Sequence, residues 1–285
     1  MGKNKVELVA DAGFCFGVKR CVLRAEQTAA RYGDRPIYTF GPLIHNPQVV
    51  ERLRSKGIVP IADPAQVPAG VVIVRSHGAE RNVLKQAGKA GHLVVDATCP
   101  FVRRAQKLVA RLSREGYQIV IIGEESHPEI RGLLSYANSG AVVVSDQASA
   151  EGLGTFPRIG VVAQTTAPSR LFGQVVGALL AKSKELQVHN TICQSTEQRR
   201  RATAELARRS EVMIIVGGRN SANTRRLVEL CRQENRETYH IETASEVSED
   251  WIRDRTLVGV SAGTSTPDWI IREVFDRLQA MTAGV

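Results

Sequence analysis

One pattern occurs three times along this chain and constrains its fold more than any other feature. A short strand-like run ends at a cysteine: VADAGFC at Cys15, VVDATC at Cys99 and HNTIC at Cys193. Each cysteine is followed by a basic stretch of helical period and then by a second strand, PIYTF, QIVII or VMIIV. Those strands run into a polar turn at His45, His127 and Ser221, and a later strand runs into another at His77, Thr165 and Ser265. From the cysteine to the first of these turns is 30, 28 and 28 residues, and to the second 62, 66 and 72. A recurring period of this kind marks repeated copies of one supersecondary unit. It divides the 285 residues into three α/β domains, 1–98, 99–192 and 193–285.

Further Val/Ile-rich runs (VELVA, VVIV, LVVD, AVVV, IGVVA, LVGVSA) alternate with helix candidates at 17–32, 100–115, 195–210, 222–235 and 267–280. Such alternation predicts parallel sheets, in which functional groups collect at the carboxyl ends of the strands. Equivalent strand ends in three similar units can face one centre, which would bring the three cysteines together.

Composition removes several classes. Hydrophobic residues make up 43% and charged residues 24%, as in an ordinary globular protein. No apolar run approaches the ~20 residues that span a bilayer. The start, MGKNKVELVADAGF, has neither an apolar leader region nor a cleavage site, and Gly2 lacks the Ser or Thr at position 6 of a myristoylation signal. Disorder is expected at most in the closing AMTAGV. Five cysteines, with no CxxC pair, do not form a secreted disulfide framework, and the cytoplasm is the expected compartment. Thirty-eight basic against 29 acidic residues give a net charge of +9, which favours an anionic ligand or an acidic partner.

Cys15, Cys99 and Cys193 stand where a strand gives way to a helix. Pro100 suits a first helical turn, and Ser195 with Gln198 reads as a capping box for the helix after Cys193. A helix N-terminus favours the thiolate, the form that binds metal. Three such thiolates suit zinc with an open position, or an iron–sulfur cluster with one iron lacking a protein ligand, since four cysteines are the usual complement. Cys21 and Cys231 fall inside helical patterns, match no repeat position and are expected in the core.

The polar turns carry His45 and Asn46, His77 and Gly78, His127 and Glu129, Thr165 and Thr166, Ser221 and Asn223, Ser265 and Thr266. Four run into a proline (Pro47, Pro128, Pro168, Pro267), which leaves free N–H groups at a positive helix end. A diphosphate suits such a ring of donors. Glu129 beside it can hold or relay a proton, or can simply favour a helix dipole; local sequence leaves both open. There is no GxGxxG, and Gly88-Lys89 is followed by Ala90, so no phosphate loop of the Walker kind is present. The tract Arg199, Arg200, Arg201, Arg208, Arg209 reads first as a solvated helix face, then as a docking patch for an acidic redox protein. Nucleic acid is not expected, because aromatics are 5% and no stacking motif occurs.

Eight motifs, GFCFGVKR, GPLIHNPQVV, RSHGA, DATCPFV, SHPEIRG, QTTAP, GGRNSANTRRL and SAGTSTPDW, follow in order from about Val6 to the C-terminus. In them the chain resembles the 4-hydroxy-3-methylbut-2-enyl diphosphate reductase family, which closes the methylerythritol phosphate route to isoprenoids. The resemblance implies an α/β trefoil of three similar domains with mainly parallel sheets in pseudo-threefold arrangement around a central [4Fe–4S] cluster. It puts the cluster on Cys15, Cys99 and Cys193, with one iron lacking a protein ligand. It implies substrate contacts from His45, His77, His127, Thr165, Ser221, Asn223 and Ser265, a catalytic set of Glu129 as proton donor with Thr165 and His127, and reductive dehydroxylation to isopentenyl and dimethylallyl diphosphate. Many members carry a second serine where this chain has Ala222, which offers only its backbone N–H. Partners implied are the diphosphate substrate and an electron donor such as ferredoxin or flavodoxin, with no membrane. Two alternatives stand beside this reading: a phosphoesterase with zinc on the three cysteines, and a non-enzymatic iron–sulfur sensor.

Overall fold

Strands covered on both faces read as unbroken apolar runs, not as alternating ones. VVIV, QIVII and VMIIV are such runs, and nearly every residue in them is buried. The computed structural model describes residues 5–138 and 140–283; Gly2 and the last two residues of AMTAGV lie outside them. In chain order the elements begin β1 (Lys5–Leu8), α1 (Phe16–Arg31), β2 (Ile37–Phe40), α2 (Pro47–Arg54), β3 (Ile58–Ile61), β4 (Val71–Val74), α3 (Arg81–Lys89) and β5 (Leu93–Asp96). They continue through α4 (Pro100–Arg114), β6 (Gln118–Ile122), α5 (Pro128–Leu134), β7 (Ala141–Val144), α6 (Gln147–Glu151), β8 (Phe156–Ala163), α7 (Ser169–Leu179) and β9 (Ser183–Val188). The last are α8 (Gln194–Arg209), β10 (Val212–Val216), α9 (Ala222–Glu234), β11 (Thr238–Ile241), α10 (Glu249–Ile252), β12 (Leu257–Ala262) and α11 (Asp268–Ala283).

The strands form three four-stranded sheets, ordered β3-β2-β4-β5, β7-β6-β8-β9 and β11-β10-β12-β1. Every pairing is parallel, so each connection within a sheet needs a crossover, which the helices supply. All three sheets share one order. The fourth place is taken in each by the strand that leads to a cysteine: β5 to Cys99, β9 to Cys193 and β1 to Cys15. β1 therefore pairs with the far end of the chain, from Lys5 opposite Leu257 to Leu8 opposite Val260.

The chain forms two compact units. One comprises the residues up to Lys19, Ile44–Arg52 and Gln194 onward; the other comprises Arg20–Leu43 and Leu53–Cys193. In the first, alternate residues of β10 set the core: Val212, Ile214 and Val216 are buried together with Val258, Val260, Ile270, Val274 and Leu278. In the second, two clusters lie on either side of β6 and β8. Val120, Ile122, Ile159, Val161, Val175 and Leu179 form one, and Ala105, Val109, Leu112, Ile119, Ile121 and Leu133 the other. Alternate residues of a strand point to opposite faces, which is why neighbours such as Val120 and Ile121 serve different cores. Cys21 and Cys231 are fully buried, as expected.

Several local expectations need correction. α8 begins at Gln194, so Ser195 lies inside the first turn and is not its N-cap; the N–H of Cys193 is already held by Thr165 C=O at 2.8 Å, which sets where the helix starts. Pro47 and Pro128 do open their helices, whereas Pro168 is the N-cap of α7 and Pro267 precedes α11. The arginine tract is not uniformly solvated. Arg201, Arg208 and Arg209 are exposed, but Arg199 is buried, because helical period places it on the same face as buried Thr196 and Thr203. The closing residues up to Ala283 are helical. Among the described residues, no helix is long and apolar enough to cross a membrane.

Candidate active site

The three cysteines have matching local surroundings. Cys99 donates its main-chain N–H to Ser76 C=O at 2.9 Å, Cys193 to Thr165 C=O at 2.8 Å, and Cys15 to Thr264 C=O at 3.3 Å. Each acceptor lies in the turn that follows the neighbouring strand of the same sheet: β4, β8 or β12. Those turns are alike as well, closed by Gly78 N–H to Arg75 C=O, Ala167 N–H to Gln164 C=O and Thr266 N–H to Gly263 C=O. The bonding therefore aligns Thr166, and not Thr165, with His77 and Ser265. Spacing alone missed this one-residue shift, since the intervening loops differ in length. None of the five cysteines is in a disulfide.

The other set of turns is matched by its caps. Asn46 Oδ1 accepts Val49 N–H at 2.9 Å, His127 Nδ1 accepts Glu129 N–H at 3.1 Å, and Ser221 Oγ accepts Thr224 N–H at 3.3 Å. A side chain at the N-cap satisfies one of the free donors of a helix start and leaves the others available. The equivalent of His127 and Ser221 is thus Asn46, one residue after His45.

In the first unit these turns meet. Ser265 Oγ donates to His45 C=O at 3.1 Å and lies 3.4 Å from Ser221 Oγ. Gly218 fits beneath His45 because it has no side chain: a Cβ there would stand 2.7 Å from His45 C=O. Asn46 Nδ2 and Asn223 Nδ2 are buried and have no hydrogen-bond partner among the described residues. Buried donors without acceptors are costly and rare. Two carboxamides left in this state, beside two serine hydroxyls and the start of α9, are what an anion-binding cradle requires. Ala222 is the first residue of α9, so its contribution is a main-chain N–H at that helix end. Cys15 follows a tight approach at Gly13, where φ is +101° and a Cβ would stand 2.8 Å from Ile271 Cδ1.

In the second unit a continuous hydrogen-bonded path links four expected residues. Glu129 is buried, 1% exposed, at the start of α5. Its Oε1 accepts Thr165 N–H at 2.7 Å and its Oε2 accepts the Thr165 hydroxyl at 2.8 Å. Thr165 C=O in turn holds Cys193 N–H. His127, two residues before Glu129, uses Nδ1 as an acceptor, so the ring proton of its neutral form sits on Nε2. The His127 ring meets the His77 ring edge to face, with centroids 5.3 Å apart. Gly78 holds the His77 turn at φ +78°, packed so closely that a Cβ would lie 2.6 Å from Gln106 Nε2. Cys99 N-caps α4 through its backbone geometry, without a side-chain cap bond.

Sequence reading passed over three buried residues that shape these turns. Gln164 Oε1 accepts Glu124 N–H at 3.2 Å and its Nε2 donates to Thr166 Oγ1 at 3.1 Å, joining two turns. Gln106 packs against Gly78 from α4. Arg75 is buried, and burial, together with the nearby Arg131 charge, pushes its guanidinium down to about 10. A polar residue in an apolar helical face was the available signal for Gln106; nothing local distinguished Arg75.

Comparison with known proteins shows the family and the fold. Residues 6–279 match the family described as LytB protein. A relative from Citrifermentans bemidjiense is 47% identical over 97% of this chain and 98% of its own length, and one from Aquifex aeolicus is 44% identical over 96% and 95%. Both are named 4-hydroxy-3-methylbut-2-enyl diphosphate reductase. A solved structure of (E)-4-hydroxy-3-methyl-but-2-enyl diphosphate reductase, described as the terminal enzyme of the non-mevalonate pathway, superposes with a TM-score of 0.74 at 43% identity, covering 98% of this chain and 100% of that one. The E-1-hydroxy-2-methyl-but-2-enyl-4-diphosphate reductase of Plasmodium falciparum superposes with a TM-score of 0.90 at 25% identity, covering 97% and 88%. With its motifs, its sheets and its full-length relatives in agreement, the chain belongs to the LytB family.

Proposed function

We propose that this chain reductively removes the hydroxyl of 4-hydroxy-3-methylbut-2-enyl diphosphate, giving isopentenyl and dimethylallyl diphosphate as the last step of the methylerythritol phosphate route. Two electrons and two protons enter, the carbon–oxygen bond breaks, and water leaves. The observation that carries the reading, beside the family, is the buried carboxylate of Glu129 bonded through Thr165 to the backbone of Cys193. A proton store next to a candidate metal ligand is what a reductive dehydroxylation needs.

Cys15, Cys99 and Cys193 are the proposed ligands of a [4Fe–4S] cluster with one iron lacking a protein ligand. The donor set fits: three cysteines outside any disulfide, each after the fourth strand of its sheet and each held by the same main-chain bond. When bound, the cluster supplies electrons one at a time and a Lewis-acidic iron. The chain's own residues do the rest. His45, His77, Ser221, Asn223 and Ser265, with the backbone N–H of Ala222, grip the diphosphate and so fix the carbon chain. His127 offers Nε2–H as a donor. Thr165 orients the substrate hydroxyl and passes it a proton held on Glu129. Five cysteines with no disulfide between them support the cytoplasm as the compartment.

Anaerobic purification followed by iron, sulfide and visible-absorption measurement tests this reading, together with Cys99→Ser. The wild type should be brown, contain labile sulfide and consume the hydroxylated diphosphate with a chemical reductant. Cys99→Ser should lose iron and sulfide while keeping its circular dichroism, because Cys99 caps α4 without its side chain. A colourless wild type holding zinc would overturn the proposal.

A further inference from the structure

We propose that the basic face of α4 is the docking surface for a small acidic one-electron carrier protein, an inference that rests on the redox reading above. Pro100, Arg103, Arg104, Lys107, Leu108 and Arg111 line an open groove of about 450 Å³ along this helix. Four of the six are cations and none is acidic. Their spacing of three and four residues puts Arg104, Lys107 and Arg111 on one face. Arg103 is paired with Asp96, and Arg111 lies 3.7 Å from Glu115, but among the described residues Arg104 and Lys107 have no acidic partner. The half-exposed ring of Phe101 adds an apolar contact at the same end.

Position makes this surface more than a charged patch. Cys99 caps the start of the helix, and Arg104 is five residues further on, about 7.5 Å of axial rise. At the other end Arg111 Nη2 meets His189 Nε2 at 3.3 Å, in the segment that runs from β9 to Cys193. Two of the proposed cluster ligands are therefore tied to the structure that carries the groove. The positive field is felt locally: burial, then Arg111 and Arg104, hold the His189 imidazole below its ordinary range.

The groove on α8 is a useful contrast. It measures about 320 Å³ and is lined by Arg200, Arg201 and Arg208, but also by Glu197 and Glu205. Its cations are engaged, with Arg200 and Arg201 on Glu197 and Arg208 on Glu234. Charge complementarity to an acidic partner therefore favours α4. Electron-transfer encounters use small, weak interfaces, and unpaired surface charges serve them by steering association. In each encounter the carrier is oxidised by one electron, and two encounters supply the pair that one turnover consumes.

The test is an Arg104→Glu, Lys107→Glu double variant of the holoenzyme, with a small acidic bacterial ferredoxin as the probe. Binding is measured by calorimetry at low and high salt, on protein with and without its cluster, and turnover is measured both with ferredoxin and with dithionite-reduced methyl viologen. Wild-type binding should weaken steeply with salt. The variant should bind ferredoxin at least ~10-fold more weakly and show a raised KM for ferredoxin, with viologen-driven turnover and thermal melting unchanged. Equal ferredoxin affinity in variant and wild type, affinity indifferent to salt, absence of binding to the wild type, or parallel loss of viologen-driven turnover would each overturn the docking surface. Absence of viologen-driven turnover in the cluster-loaded wild type would instead sink the redox reading on which it rests.

Discussion

Both carboxylate oxygens of Glu129 are occupied by one residue, Thr165, through its main-chain N–H at 2.7 Å and its hydroxyl at 2.8 Å. The two bonds together fix the plane of the carboxylate. Glu129→Gln can keep this geometry, with the amide oxygen on Thr165 N–H and the amide nitrogen donating to the Thr165 hydroxyl. The variant should therefore melt close to the wild type, yet lose roughly 10²–10⁴-fold in kcat with little change in KM, as expected when a proton donor is removed. Anaerobic steady-state kinetics and a melting curve decide it, and a kcat within a few-fold of the wild type would remove Glu129 from proton delivery.

Gly78 is required by conformation and by space. At φ +78°, with a virtual Cβ 2.6 Å from Gln106 Nε2, Gly78→Ala should cost roughly 1–3 kcal/mol of stability and shift the His77 turn. Chemical denaturation measures the first effect, and pyrophosphate affinity the second. Unchanged stability would mean that the turn can relax at no cost.

The five thiols should separate into two classes by reactivity. Cys21 and Cys231 are fully buried, and desolvation pushes both thiols up to about 12. Under native conditions near pH 8, iodoacetamide should leave these two unlabelled, and only unfolding should expose them. Mass spectrometry of the peptides checks this. Rapid native labelling of Cys21 would show that α1 opens readily.

Asp96 links acid stability to the approach to Cys99. Burial pushes its carboxyl up, but donation from Thr98 and the adjacent Arg103 guanidinium outweigh this and hold it below the usual carboxylate range. Between that lowered value and the ordinary ~3.9, the unfolded chain binds more protons than the folded one, so stability falls as pH falls through this window. The stabilisation is complete only above the ordinary value. In urea titrations at several pH values, the advantage of wild type over Asp96→Asn should shrink on acidification below about pH 4; a constant difference would count against the assignment.

Much of the fold was legible because its signals are local. Short unbroken apolar runs rich in β-branched residues, such as VMIIV, suit strands covered on both sides, and the strand–helix alternation then favours parallel pairing. The cysteines were legible as a set because each stands at the same junction. Two of the six polar turns were aligned one residue off, however. His45 and Asn46, or Thr165 and Thr166, are adjacent polar residues, and which of them caps a helix or turns inward depends on partners elsewhere. Arg199 was misread for the same reason: its charge argues for solvent, while the helical face it shares with Thr196 and Thr203 is buried.

By itself the amino-acid order determined the class of element at each position, the parallel sheets, the threefold recurrence and the chemical kinds of side chain at the strand ends. These follow from periodicity, chain stiffness and residue chemistry, which act over a few residues. Tertiary structure decided that β1 joins β12, that Thr165 serves Glu129 and Cys193 at once, and that Asn46 and Asn223 keep buried donors unspent. Each of these is a hydrogen-bonding choice between segments far apart in the chain, and such a choice exists only once packing has removed water as the competing partner.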